Sequence, residues 1–176
     1  MAGDNMLVDV SRILKNPGAQ EEFEFIFEEA LDADEIKITG PVLVKGAVLN
    51  VGNLLEMTVH VKTRFKAQCY RCLDPVESEL AFSFTENYCP AEEAGDDADE
   101  EQSSLCVGVF EDDELDVSLA VKENLLLNLP MRVLCTADCP GICPHCGANL
   151  KTEICRCKNE GVDPRLAILA QLKKKN

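Results

Sequence analysis

Six of the ten cysteines in this 176-residue chain fall between Cys135 and Cys157, spaced Cys135-x3-Cys139-x3-Cys143-x2-Cys146-x8-Cys155-x1-Cys157. A segment so rich in thiols and so poor in large apolar side chains cannot order itself by burial alone, so it needs a crosslink. Two chemistries supply one. A tetrahedral Zn²⁺ held by four thiolates orders short loop-rich backbone. A disulfide framework does the same in an oxidising compartment, normally behind a secretory signal. The opening MAGDNMLVDVSRILKN has no charged stretch followed by an apolar one, so no signal peptide is read there. The expectation is a cytoplasmic protein that keeps its ten cysteines as thiols, with zinc as the staple. No apolar run approaches the ~20 residues of a membrane span.

Within the cluster, Cys143-Pro144-His145-Cys146-Gly147 is the most specific motif. A glycine after the second cysteine lets the chain turn sharply, so that backbone amides approach the thiolate. Cys155-x-Cys157 is the nearest second pair, and the four together make a closed site with no open position for a substrate. Cys69-Tyr70-Arg71-Cys72 lies between two apparent strands and offers another knuckle. With Cys135 and Cys139 it forms a second possible quartet, joining the β region to the C-terminal part. Pairing Cys135 and Cys139 with Cys143 and Cys146 is also sterically allowed, and spacing does not choose. Cys89 and Cys106 stand apart and read as small buried hydrophobes. His145 reads as a turn residue, and His60 has no nucleophile or base beside it.

The rest of the chain reads as an α+β fold: an antiparallel sheet or partly open barrel with a few helices and a C-terminal zinc-ribbon-like module. MLVDVSRILKN suggests an extended segment and a helical turn ended by Asn16-Pro17-Gly18. Phe23, Phe25 and Phe27 alternate with acids, as a half-buried strand would. Residues 36–68 are the clearest β region, with a turn at Asn50-Val51-Gly52-Asn53. Met57, Val59, Val61, Thr63 and Phe65 alternate there with Thr58, His60, Lys62, Arg64 and Lys66. A strand from Val76 to Tyr88 follows the first cysteine pair. Asp116 is a candidate cap for a helix over Val117–Leu129, ended by Pro130, and Asp163-Pro164 begins another. The division expected is 1–130, a mainly antiparallel β domain with an acidic loop over 91–104, and 131–176, a cysteine-rich zinc-binding module with a C-terminal helix.

Charge is unevenly spread. The net charge is −15, yet residues 92–116 hold twelve acids and no Lys or Arg, and the last 46 residues hold eight bases against four acids. The acidic segment reads as a solvated loop that buries too little to offset its ordering entropy. A four-thiolate zinc site would add about −2, so the basic excess at the C-terminus is smaller than it looks. This balance favours a basic protein partner over free RNA. If RNA is touched directly, the candidates are Lys62, Arg64, Lys66, Arg71, Arg156, Lys158 and the lysine tail. No catalytic constellation is legible: there is no GxSxG, Walker loop or HExxH. A thiol redox or metal-carrier role for Cys69 and Cys72 is the alternative, but it wants a βαβ setting, and the flanking strands read as antiparallel.

Taken in order, these features resemble the bacterial YceD family. The resemblance rests on Cys69-Tyr70-Arg71-Cys72-Leu73 after a β region, an acidic loop, and Leu115-Asp116-Val117 leading into a helix. Asn128-Leu129-Pro130, the block from Leu134-Cys135 to Gly147-Ala148-Asn149-Leu150, Cys155-x-Cys157 and Asp163-Pro164-Arg165-Leu166-Ala167 complete it. It covers most of the chain beyond residue 35, and the cysteine-rich ending is similar to the form in Gram-positive members. The resemblance implies a non-enzymatic factor supporting synthesis, processing or stability of the large-subunit (23S) ribosomal RNA. Its expected partners are precursor RNA or a basic ribosomal protein, with no membrane and no small-molecule substrate.

Overall fold

The computed structural model describes residues 6–28, 32–33, 36–91, 106–110 and 112–157. Most of the acidic segment, Lys158 and the helix expected from Asp163 lie outside these residues. The chain forms β1 (Leu7–Asp9), α1 (Ser11–Leu14), β2 (Gln20–Phe27), β3 (Asp32–Ala33), β4 (Ile36–Ile38), β5 (Val42–Asn50), β6 (Leu55–Gln68) and β7 (Pro75–Pro90). Then come β8 (Gly108–Phe110), β9 (Glu114–Asp116) and α2 (Ser118–Leu127). The result is α+β: a large, open, mostly antiparallel sheet with few helices. No helix among the described residues is long and apolar enough to cross a membrane.

The sheet is built around β6, which pairs with β5 and β4 along one edge and with β7 along the other; β2 flanks β5. Period-two patterning explains the register. Met57, Val59, Val61 and Phe65 are buried while His60, Lys62, Arg64 and Lys66 are exposed, as alternation on a one-sided sheet requires. Phe84, Phe82 and Leu80 stand opposite Val59, Val61 and Thr63, so both strands turn their apolar residues to the same face. That face packs against Val8, Val10, Ile13, Val117, Val121 and Leu125 in one core. Gly46 sits opposite Phe23, whose ring fills the space a Cβ would take.

The β5–β6 turn is held by Asn50, which is almost fully buried. Its Nδ2 donates to the carbonyls of Ile13 (2.7 Å) and Leu14 (3.1 Å), and its Oδ1 accepts the Gly52 amide. A buried amide with its hydrogen bonds made costs little, and here it fastens the end of α1 to the hairpin.

Three elements differ from the sequence reading. β8 lies parallel to β7, and β9 pairs with β1 in a separate two-stranded ribbon. Helix α2 runs over Ser118–Leu127, shorter than Val117–Leu129. Val117, not Asp116, holds the N-cap position; the Asp116 carboxylate accepts the Ser118 amide at 2.8 Å instead. The ribbon has a local symmetry: Asp9-Val10-Ser11 and Asp116-Val117-Ser118 each end a strand and open a helix. In both, the aspartate Oδ1 accepts the serine amide.

Cys89 and Cys106 correct the expectation most directly. They are joined as a disulfide between β7 and the residues just before β8, with Cα atoms 5.8 Å apart. The reading of ten separate thiols fails here because the parallel β7–β8 pairing, invisible in the sequence, brings the two together.

Candidate metal centres

The eight other cysteines are free and fall into two quartets. Cys69, Cys72, Cys135 and Cys139 form one; Cys143, Cys146, Cys155 and Cys157 form the other. In each, all four sulfurs lie within 4.8 Å of one another. The alternative of Cys135 and Cys139 with Cys143 and Cys146 is not the grouping formed. Sulfur separations include 3.8 Å (Cys69–Cys139), 3.6 Å (Cys72–Cys135), 3.8 Å (Cys146–Cys155) and 3.4 Å (Cys143–Cys155). A zinc–sulfur bond of ~2.3 Å implies tetrahedral edges of about 3.8 Å, against ~2.05 Å for a disulfide. Both quartets could therefore hold a metal ion, and zinc fits the donor set.

The first centre is built by the turn between β6 and β7. The Leu73 amide donates to the Cys69 carbonyl at 2.9 Å, and Leu73 takes a left-handed φ of 62°. In the second centre Gly147 plays the corresponding part, with φ 73° and its amide on the Cys143 carbonyl. The glycine of the second knuckle was anticipated; a leucine in the equivalent strained position was not.

The chain after α2 returns to the first knuckle through backbone bonds. The Tyr70 amide donates to the Val133 carbonyl (2.8 Å), and the Ile142 amide donates to the Arg71 carbonyl (3.1 Å). Arg71 Nη1 donates to the Cys139 carbonyl at 2.9 Å. Gly141 is required at this contact, because a Cβ there would stand 3.1 Å from the Arg71 carbonyl oxygen, at a φ of 77°.

The thiols do not ionise alike. Burial raises the Cys69 thiol, but amides of Cys135, Cys72 and Arg71 outweigh it and bring it down to about 6. The Asp74 amide favours the Cys72 thiolate, yet burial and the neighbouring sulfurs push that thiol up to about 12. In the second centre the Cys146 and His145 amides hold Cys143 down at about 6, while Cys146 and Cys155 push Cys157 up to about 12. One thiolate per quartet suppresses the next, and a divalent cation is what would let all four ionise together. The centres also differ in access: Cys69, Cys72 and Cys139 are buried, whereas Cys146 and Cys157 are exposed.

Sequence reasoning missed the residues that join the two centres. Lys151 Nζ lies 3.2 Å from Asp74 Oδ2 and 3.7 Å from Cys135 Sγ, and Asn149 Nδ2 donates to Asp74 Oδ1. The loop of the second knuckle thus reaches back to a ligand position of the first, the outer support that orients ligands around metals. Only the folded contact reveals it.

Among the described residues, the anticipated basic side chains do not form one patch. Lys62 pairs with Glu79 (3.1 Å), Lys66 with Glu77 (3.5 Å), and Arg64 stands opposite Glu79 in register. With Lys45 on Glu24, the outer sheet face is a ladder of opposite charges. Arg71 turns to the Cys139 carbonyl, and exposed Arg156 borders a shallow hollow beside Cys146 and Cys157.

A family profile described as Large ribosomal RNA subunit accumulation protein YceD matches residues 57–173, a span containing both quartets. An uncharacterized protein of Mycobacterium tuberculosis is 30% identical over 95% of this chain and 81% of its own. The chloroplastic YCED homolog 1 of Zea mays, named as a large ribosomal RNA subunit accumulation protein, is 28% identical over 75% of this chain and 54% of its own. The uncharacterized protein YlbN of Bacillus subtilis is 28% identical over 86% and 90%. No solved structure matches the chain.

Proposed function

This chain belongs to the YceD family of large ribosomal RNA subunit accumulation proteins, and on that premise we propose that it is a non-enzymatic factor that binds precursor 23S RNA or a protein of the large subunit and supports accumulation of that RNA. The family match carries the reading; the family's name describes accumulation of an RNA and no reaction. Both quartets hold Zn²⁺ as structural staples, each filling all four positions of a tetrahedral ion and leaving none for a substrate. The division at about residue 130 then separates a sheet domain from a zinc-stapled module docked on the β6–β7 turn.

The thiol redox or carrier alternative is less well supported. It calls for an exposed reactive thiol, and Cys69 and Cys72 are 0% and 4% exposed. Paired charges on the sheet also weigh against Lys62 and Lys66 as free phosphate contacts. The test is depletion of the protein followed by ribosomal subunit profiles and 23S precursor measurement, with complementation by Cys69→Ser/Cys72→Ser and Cys143→Ser/Cys146→Ser. Loss of large subunits, restored by the wild type and not by the first double variant, is expected. Normal large subunits after depletion refute the assignment.

A further inference from the structure

A cavity of about 520 Å³ opens between the first knuckle and the run that leaves α2. Gln68 at the end of β6, Tyr70 of the knuckle, Leu126 of α2, and Met131 and Arg132 form its walls. Its volume falls within the ~300–1,000 Å³ of small-ligand sites. Three observations say what fits it.

The first is Tyr70. Of the two tyrosines, Tyr88 is 6% exposed, with its hydroxyl on Glu86, whereas Tyr70 is 61% exposed. Tyr70 is nonetheless held in place: its amide is bonded to the Val133 carbonyl, and the Arg132 guanidinium carbon lies 5.0 Å from the ring centroid. An aromatic ring fixed at the surface and paired with a guanidinium is a stacking platform. The second is charge. In a chain of net −15, no carboxylate among the described residues lines this cavity, and the one charged wall residue among them is Arg132. The guanidinium beside the ring carries five N–H donors that a phosphate can accept from. The third is Gln68, whose amide offers a donor and an acceptor to a base edge.

A planar aromatic group carrying an anion satisfies all three. We propose that this cavity binds an unpaired base of a single-stranded RNA segment. The base stacks on the Tyr70–Arg132 pair, its phosphate meets Arg132, and Gln68 contacts its edge. An apolar side chain of a protein partner would use the walls but leave the guanidinium and the amide without a role. A duplex keeps its bases stacked on one another and cannot enter. The inference rests on the ribosomal RNA reading above and names the part of the RNA that is recognised.

The test uses the full-length zinc-loaded protein and a fluorescein-labelled, unstructured RNA 12-mer, followed by anisotropy against the same sequence as a duplex. Tighter binding of the single strand is expected. Tyr70→Ala should weaken it by about 5- to 100-fold, Arg132→Ala should also weaken it, and Tyr70→Phe should stay close to wild type. Zinc content and circular dichroism of each variant report folding. Photo-crosslinking of wild type with a 4-thiouridine RNA supplies a readout independent of any variant, with the label expected on the Tyr70 or Met131 peptide. Equal affinity of a folded Tyr70→Ala protein, preference for duplex, or crosslinks confined to other surfaces would overturn the proposal. So would capture of a large-subunit protein that Tyr70→Ala abolishes, in the absence of RNA binding. Each of those results leaves the depletion phenotype standing, whereas normal 23S RNA after depletion overturns the broader reading.

Discussion

Replacing Cys72 with serine should undock the C-terminal segment and leave the sheet intact. Cys72 is 4% exposed and supplies one of four sulfurs in the first quartet. Apart from that centre, five hydrogen bonds join the segment to the β6–β7 turn: Tyr70 to Val133, Ile142 to Arg71, Arg71 to Cys139, and Asn149 and Lys151 to Asp74. At about 1 kcal/mol each they contribute roughly 5 kcal/mol, against about 10–16 kcal/mol for a structural zinc at neutral pH. On the proposed zinc loading, the metal outweighs them. Losing even about 4 kcal/mol of it lowers the local stability roughly a thousandfold. Hydrogen exchange at the Tyr70 amide reads this directly, because its acceptor lies across the junction. Cys72→Ser should carry one zinc instead of two and lose Tyr70 protection, while the β6–β7 ladder amides stay protected. Cys146→Ser also drops to one zinc but keeps Tyr70 protected, since the first quartet is whole. Two zincs in Cys72→Ser, or equal loss of Tyr70 protection in both variants, refutes the reasoning.

Zinc affinity should rise with pH: at neutral pH Cys72, Cys139, Cys155 and Cys157, all shifted upward, still carry protons that the metal must displace. These raised thiols alone release two protons per centre, so affinity should rise by at least about a hundredfold per pH unit near neutrality, measurable by chelator competition at pH 6.5 and 7.5. Unreduced protein, denatured in chelator, should titrate eight thiols, and Cys89→Ser/Cys106→Ser should lose about 3 kcal/mol in urea unfolding; a titre of ten contradicts the pairing. Gly46→Ala puts a Cβ into Phe23 Cζ and 2.7 Å from the Thr58 carbonyl oxygen, so a loss of about 1–3 kcal/mol is expected by denaturant titration. Leu73→Gly, at the residue with φ 62°, should gain about 1 kcal/mol by relieving the left-handed strain, and a loss would argue that the exposed leucine packs against something.

The residues that repeat were the legible ones. Alternation from Met57 to Lys66 gave β6 its inner and outer faces, and the Asn50–Asn53 turn set its pairing with β5. Cysteine spacing anticipated both quartets among its alternatives. β8 and β9 are three residues each, too short for any period to show, and what defines them is a partner far along the chain. The Cys89–Cys106 bond followed β8 out of view. The charge ladder was readable in principle: once β6 and β7 are registered, Lys66 must face Glu77. Basic residues on one strand show their pairing only beside the acids of the next. Lys151 lay beyond reach for another reason, since its partners Asp74 and Cys135 come from segments 77 and 16 residues away.

The position of the first knuckle also sets an order of events during synthesis. Cys69 and Cys72 stand at the tip of a hairpin whose strands adjoin in the chain, so their pair can form as soon as β7 has emerged. Their partners Cys139 and Cys135 follow 70 and 63 residues later. At about 5–20 residues per second, that interval lasts roughly 3–14 s. The second quartet spans only Cys143 to Cys157 and closes as a local loop. The quartet that begins first along the chain thus waits longest for its last ligands. A chain that stops short of Cys135 keeps an unfinished two-thiol hook at the hairpin tip, and a closed first centre certifies that the sheet and everything through Cys139 belong to one chain.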